Sequence, residues 1–164
     1  MLGERVLALS SGYRSADAVI EIARPLLAEF TATHKWPVSL ATLDGDAMRV
    51  RTGTLQESPF STFLDQRRIA RRVPMLTSAV GRAYLAFCHA DERETILRLL
   101  RKSTRPHDAQ ARDGQRIKAL MDGIVAQGYA TTPPLKGEQA LGLSVPVLIA
   151  NRVLACITLR YLGK

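Results

Sequence analysis

The chain has 164 residues, a formal net charge of +8 and a 46% hydrophobic composition. That is one domain's length, with enough apolar content for a core without staples or metals. Two isolated cysteines, Cys88 and Cys156, exclude a disulfide scaffold and a CxxC zinc or redox site and suit a reducing cytoplasm. No apolar run approaches the ~20 residues of a membrane span, and Met1 to Ser11 has no signal-peptide layout. The basic excess admits nucleic acid, a membrane surface or an acidic ligand. Of the 23 basic residues 18 are arginine, the side chain suited to planar contacts with carboxylate and phosphate. Residues 49–82 hold seven arginines against Glu57 and Asp65, which is +5 of the total.

Residues 1–14 read as an extended lead-in ending in Ser10-Ser11-Gly12, with Ser15 as a helix N-cap. Val19, Ile22, Leu26 and Phe30 then recur at helical spacing to about His34, with Pro25 inside the pattern as a kink or a lost hydrogen bond. Trp36-Pro37 opens a strand, Val38 to Leu43. Asp44-Gly45-Asp46 is a hairpin signal, and the return strand Ala47 to Thr52 alternates Met48, Val50 and Thr52 with Arg49 and Arg51. Gly53 to Arg72 reads as a long loop with a short helix near 61–71, and Val73 to Leu76 as a third strand. Thr77 or Ser78 caps a second helix to Phe87. A third runs from Asp91 to Arg101 and a fourth from Asp113 to Gln127, ended by Gly128 as a C-cap. Thr131 to Gly137 reads as a loop. Two apolar strands, Ala140 to Ala150 and Val153 to Leu162, close the chain around Asn151-Arg152, and their apolar faces imply a sheet covered on both sides. The order describes an α+β domain, an antiparallel sheet of five to six strands flanked by helices.

Catalytic and metal signals are weak. His34, His89 and His107 are scattered, and no GxSxG elbow, Walker loop or GxGxxG is present. Cys88 and His89 are adjacent at a helix end, so their side chains diverge. Asp44 and Asp46 suit a turn better than an acid–base pair. The segment Leu76 to Ala86 says more. A strand ends, small polar residues follow, and a helix begins whose first N–H groups favour a carboxylate or phosphate; Gly81 permits close packing one turn in. On the last strand Cys156, Thr158 and Arg160 share one face. Arg160 there either snorkels to the edge or waits for an anion.

Four stretches together resemble the effector-binding domain of the IclR family of bacterial transcription regulators. They are Ala23-Arg24-Pro25-Leu26, Leu76 to Ala86, Gly128-Tyr129-Ala130, and Leu141 to Val147 leading into Val153 to Thr158, in the family's order over residues 13–162. Trp36-Pro37, Ala41 to Arg51 and Leu85-Ala86-Phe87-Cys88 are similar to its hydroxyphenylpropionate-type (MhpR-like) activators of aromatic-acid catabolism. The resemblance implies a GAF-like fold with a ligand pocket on one sheet face, in a cytoplasmic, homo-oligomeric (dimeric or tetrameric) regulator. It implies that DNA is contacted only through a winged helix-turn-helix missing here, that residues 1–12 are a remnant of its wing and linker, and that residues 13–164 are the effector domain without its final helix. No cofactor, metal or catalysis is implied. By alignment the ligand's acid group meets the backbone of Ser78, Ala79 and Val80, with Val145, Thr158 and Arg160 on the last two strands and Leu143 and Val147 lining the same side. Loop 53–72 roofs the pocket, and Arg49 joins Arg160 as a candidate anion partner. Val145 and Arg160 replace a family cysteine and serine, which favours a larger, partly apolar carboxylate. A family aspartate has no counterpart near Leu135 to Gly137.

Two alternatives stand beside this expectation. A thiol-dependent GAF-like enzyme needs an exposed, reactive cysteine. Direct nucleic-acid binding would run through Arg67, Arg68, Arg71 and Arg72, with few aromatics to stack bases.

Overall fold

The computed structural model describes residues 2–62, 71–132 and 140–162. It opens with α1 (Leu2–His34), a 33-residue helix that contains Pro25. The helix runs straight through Ser10-Ser11-Gly12 and Ser15, which corrects the extended lead-in and the cap. Serine and glycine weaken a helix by at most about 1 kcal/mol each and remove no hydrogen bond. Its buried stripe is Ile20, Ala23, Leu27 and Thr31, not the stripe through Ile22, Leu26 and Phe30; Ile22 and Leu26 are 68% and 59% exposed. Thr31 sets this rotation. Its hydroxyl donates to the Trp36 carbonyl (3.0 Å) and lies 2.5 Å from the Thr54 hydroxyl, so it has to turn inward.

The hairpin of β1 (Val38–Asp44) and β2 (Ala47–Gly53) turns at Gly45, whose φ of 64° suits glycine. A single 3₁₀ turn, Leu55–Glu57, follows, and β3 is short, Arg72–Pro74. The helical layer comprises α2 (Ala79–Phe87), α3 (Ala90–Lys102), a 3₁₀ segment Pro106–Arg112 and α4 (Gly114–Gln127). Asp113 caps α4 by accepting from the Arg116 N–H, and Gly128 ends it in the left-handed region at φ 84°. The expected loop after it begins instead with a three-residue strand, β4 (Ala130–Thr132). Then β5 (Ala140–Ile149) and β6 (Arg152–Leu162) meet at Ala150-Asn151, both at positive φ, one residue before the expected turn.

The strands form one antiparallel sheet in the order β3-β2-β1-β6-β5-β4. Helices pack on both faces, but α1 lies over β1, β2 and β6, and on its side of β5 Val145 stays exposed, so the two-sided apolar pattern of β5 is covered only in part. Under α2, α3 and α4 lies the larger core, including Met48, Val50, Leu76, Tyr84, Leu100, Met121 and Cys156. Under α1 lies a smaller one of Ile20, Leu27, Val38, Leu40 and Ala155. The register between β5 and β6 shifts by one residue between Val147 and Leu148, leaving Leu154 as the extra residue of a bulge. Everything before that bulge on β5 takes its face from this shift.

Candidate functional site

The start of α2 is pinned from three sides. The Ser78 hydroxyl accepts from the Gly81 N–H (3.0 Å) and donates to the Pro74 carbonyl (2.6 Å). Those bonds use the Ser78 hydroxyl as a cap and satisfy the Gly81 N–H, so the N–H groups of Ser78, Ala79 and Val80 are what the first turn offers to another acceptor. Gly81 lies directly on the backbone of Met75: a Cβ there would come within 2.4 Å of the Met75 Cα and carbonyl oxygen. Arg82 adds a third tie, donating to the Leu76 carbonyl (2.6 Å).

That first turn sits on β5 at Gly142. A Cβ on Gly142 would meet the Ala79 Cβ at 3.6 Å, the Thr132 Oγ1 at 3.7 Å and the Thr158 Cγ2 at 3.9 Å. Strands β4, β5 and β6 therefore bring two threonines to the helix start. The Thr158 hydroxyl donates to Ser144 (3.1 Å), and Ser144 donates on to the Ile157 carbonyl (3.0 Å). Arg160 is the cross-strand partner of Gly142, which puts it on the same face beside the helix start. The start of α2, the Thr132 hydroxyl and the strand position of Arg160 thus share one face at the edge of an apolar core, an arrangement that suits a carboxylate with an apolar body.

Ser78, Ala79, Val80, Thr158 and Arg160 are brought together. Leu143, Val145 and Val147 are not. They pair with Leu159, Ile157 and Ala155, and Val147 packs with the α1-side core, so the three lie on the opposite face from Thr158. The bulge at Leu154 is the reason, since a one-residue shift exchanges the faces of a strand. Arg49 is also elsewhere. It lies on β2, between Met48 and Val50, which face the larger core, so it points the other way, and it pairs with Asp44 at 2.6 Å. Gly142, Ser144 and Thr132 were missed. A glycine inside the strand pattern Leu-Gly-Leu-Ser-Val is the signal that marks a close approach; Thr132 carried none, because its strand read as a loop.

Of the expected roof, residues 63–70 lie outside the described residues, Arg67 and Arg68 among them. The described start of the segment is tied to the end of α1. Phe60 stacks on Trp36 at 4.3 Å, and the Ser58 hydroxyl donates to the Lys35 carbonyl at 2.6 Å. Asp44 and Asp46 hold the hairpin turn to its neighbours: Arg72 reaches both, and Arg105 bonds Asp46 and Asp108. Cys88 and Cys156 are 3% and 0% exposed. Burial pushes the Cys88 thiol up to about 11, and it raises Cys156 as well. Among the described residues, no group of three His, Cys, Asp or Glu could hold a metal, and no helix is long and apolar enough to cross a membrane.

Residues 12–161 match the model of the bacterial transcriptional regulator IclR C-terminal family. The fold is similar to that of IclR from Thermotoga maritima, at 18% identity and TM-score 0.71 over 95% of this chain and 63% of that one. It is similar to an IclR homolog from Microbacterium hydrocarbonoxydans complexed with 4-hydroxybenzoate, at 19% identity and TM-score 0.69 over 90% and 59%. It is also similar to an IclR family transcriptional regulator from Brucella abortus, at 21% identity and TM-score 0.68 over 96% and 57%. The chain thus spans about three fifths of these three relatives, and at such identities the likeness carries the fold alone. The family match covers nearly the whole chain: it belongs to the IclR C-terminal family of bacterial transcriptional regulators.

Proposed function

We propose that this domain senses a small aromatic carboxylate and, as part of a cytoplasmic homo-oligomeric regulator of the hydroxyphenylpropionate type, passes its binding to a separate DNA-binding module of a longer chain. One observation carries this: the first turn of α2 is seated on Gly142 with Thr132, Thr158 and Arg160 around it. The carboxylate lies against the N–H groups of Ala79 and Val80, with Arg160 as its charged partner. A charge-assisted hydrogen bond of that kind contributes about 1.5–3 kcal/mol, and an apolar ring adds ~25 cal/mol per Å² buried. The 4-hydroxybenzoate held by the Microbacterium relative supports the ligand class. No reaction is proposed. The thiol-enzyme alternative would need an exposed thiolate, whereas both thiols are buried and shifted toward the protonated form. A thermal-shift screen tests the ligand class. Hydroxylated phenylpropionates and benzoates raise the melting temperature by mass action; a shift with a sugar or nucleotide, and none with aromatic acids, would overturn it.

A further inference from the structure

Two threonines border the start of α2, and their hydroxyls are not equivalent. Ser144 is fully buried, and its hydroxyl proton goes to the Ile157 carbonyl at 3.0 Å. A hydroxyl has one proton and a carbonyl only accepts, so the 3.1 Å bond between Thr158 and Ser144 takes its proton from Thr158. Thr158 therefore has no proton left for a ligand. What it turns toward Gly142 is a methyl, with Cγ2 3.9 Å from the place a Cβ would take there. Thr132 differs on both counts. Its Oγ1 is the atom that faces this place, at 3.7 Å, while the Ala79 Cβ lies 3.6 Å from it. Among the described residues, no hydrogen bond engages the Thr132 hydroxyl.

We infer that Thr132, at the end of β4, donates its hydroxyl to the ligand's carboxylate at the start of α2, while Thr158 meets the ligand's apolar body through its methyl. The inference rests on the carboxylate reading above. Thr132, Gly142 and Arg160 are cross-strand partners in one row over three strands. Adjacent strands lie about 5 Å apart, so a hydroxyl and a guanidinium stand on either side of a residue that has no side chain, with the first turn of α2 against it. An ionised carboxylate has only acceptors, up to about four of them, and needs donors from more than one direction. The helix N–H groups approach from one side, and Thr132 supplies a donor from the strand on the other. Ser144 acts on the ligand only through Thr158, by holding its proton, and is a positioning residue.

The test is calorimetric titration of the 164-residue chain and three variants with 4-hydroxybenzoate and with a hydroxylated phenylpropionate. Thr132→Val keeps the shape of the side chain and its preference for a strand. It loses about tenfold in affinity, as removal of a hydrogen bond to a charged group requires. Thr132→Ser restores the hydroxyl and binds as the parent does. Thr131→Val makes the same change at the exposed neighbouring residue of β4, whose side chain points to the opposite face, and it also binds as the parent does. Thermal melts report the folding of each variant. Binding by the parent that Thr132→Val leaves undiminished would overturn the role of Thr132 and leave the carboxylate reading standing. Equal weakening in Thr132→Val and Thr132→Ser, or weakening in Thr131→Val, would assign the loss to the fit of β4 and overturn it too. Failure of the parent to bind either acid would overturn the carboxylate reading, and this inference with it.

Discussion

Replacing Gly81 by alanine tests the seating of α2 on the β3–α2 connection. The added Cβ would lie 2.4 Å from the Met75 Cα and carbonyl oxygen, where ordinary contact begins at 3.4 Å. Those are backbone atoms with no rotamer to yield, so the first turn of α2 has to retreat by about 1 Å. Overpacking of this kind costs about 1–3 kcal/mol, against a helix-propensity gain of at most ~1 kcal/mol. The net loss is about 1–2 kcal/mol. For a chain of this size that lowers Tm by roughly 2–8 °C. The matched control is Gly123→Ala on the exposed side of α4, where a Cβ meets nothing within 4 Å. It gains about 0.5–1 kcal/mol and raises Tm by roughly 1–4 °C. Differential scanning fluorimetry of both variants decides the matter. The same chemical change should act with opposite signs at the two positions, and a rise in Tm for Gly81→Ala would refute the close contact. The retreat also draws Ala79 away from Gly142, so the variant binds acids more weakly than its stability alone requires.

Arg160→Ala weakens carboxylate binding by about tenfold or more while the domain remains folded; calorimetry showing unchanged affinity would place that guanidinium outside the site. In the native protein both thiols resist a disulfide reagent at pH 8 and react fully in denaturant, and rapid labelling of the folded chain would contradict their burial. The pH dependence of Asp46 has a definite sign. Burial raises its pKa, but Arg105 and Arg72 outweigh that and hold it below the ordinary 3.8. Its stabilisation is therefore complete above that ordinary value and lost as pH falls through the lower folded one. Asp46→Asn should cost about 1 kcal/mol at pH 7, with a gap to the parent in urea unfolding that closes in strong acid. A gap independent of pH would mean that the ion pairs to Arg72 and Arg105 do not carry it.

The ends of elements were legible where local chemistry marks them. Ser78, Asp113, Gly128 and the Asp44-Gly45-Asp46 turn all fall where caps and turns require. Longer-range choices were not. Helix α1 offers two adjacent stripes, and the bond from Thr31 to the Trp36 carbonyl and its contact with Thr54 select the one with smaller side chains, which no periodicity reveals. At the site, residue types near the α2 start and on β6 were readable because an unpaired helix terminus and an arginine on an apolar strand are chemical signals. The partners on β5 were not. One extra residue at Leu154 decides whether odd- or even-numbered residues of β5 face Thr158, and a bulge inside an apolar strand leaves no mark in composition. Ser144 and Gly142 therefore take the places that Val145 and Leu143 were expected to fill.

Amide NMR of the isotopically labelled domain reports whether a carboxylate docks on the α2 N-terminus. On titration with 4-hydroxybenzoate or a hydroxylated phenylpropionate, the largest shift changes are predicted at the N–H groups of Ala79 and Val80, with smaller ones at Gly142, Thr158 and Arg160. Saturable binding that moves other amides and leaves Ala79 and Val80 where they were would mean that the carboxylate docks elsewhere.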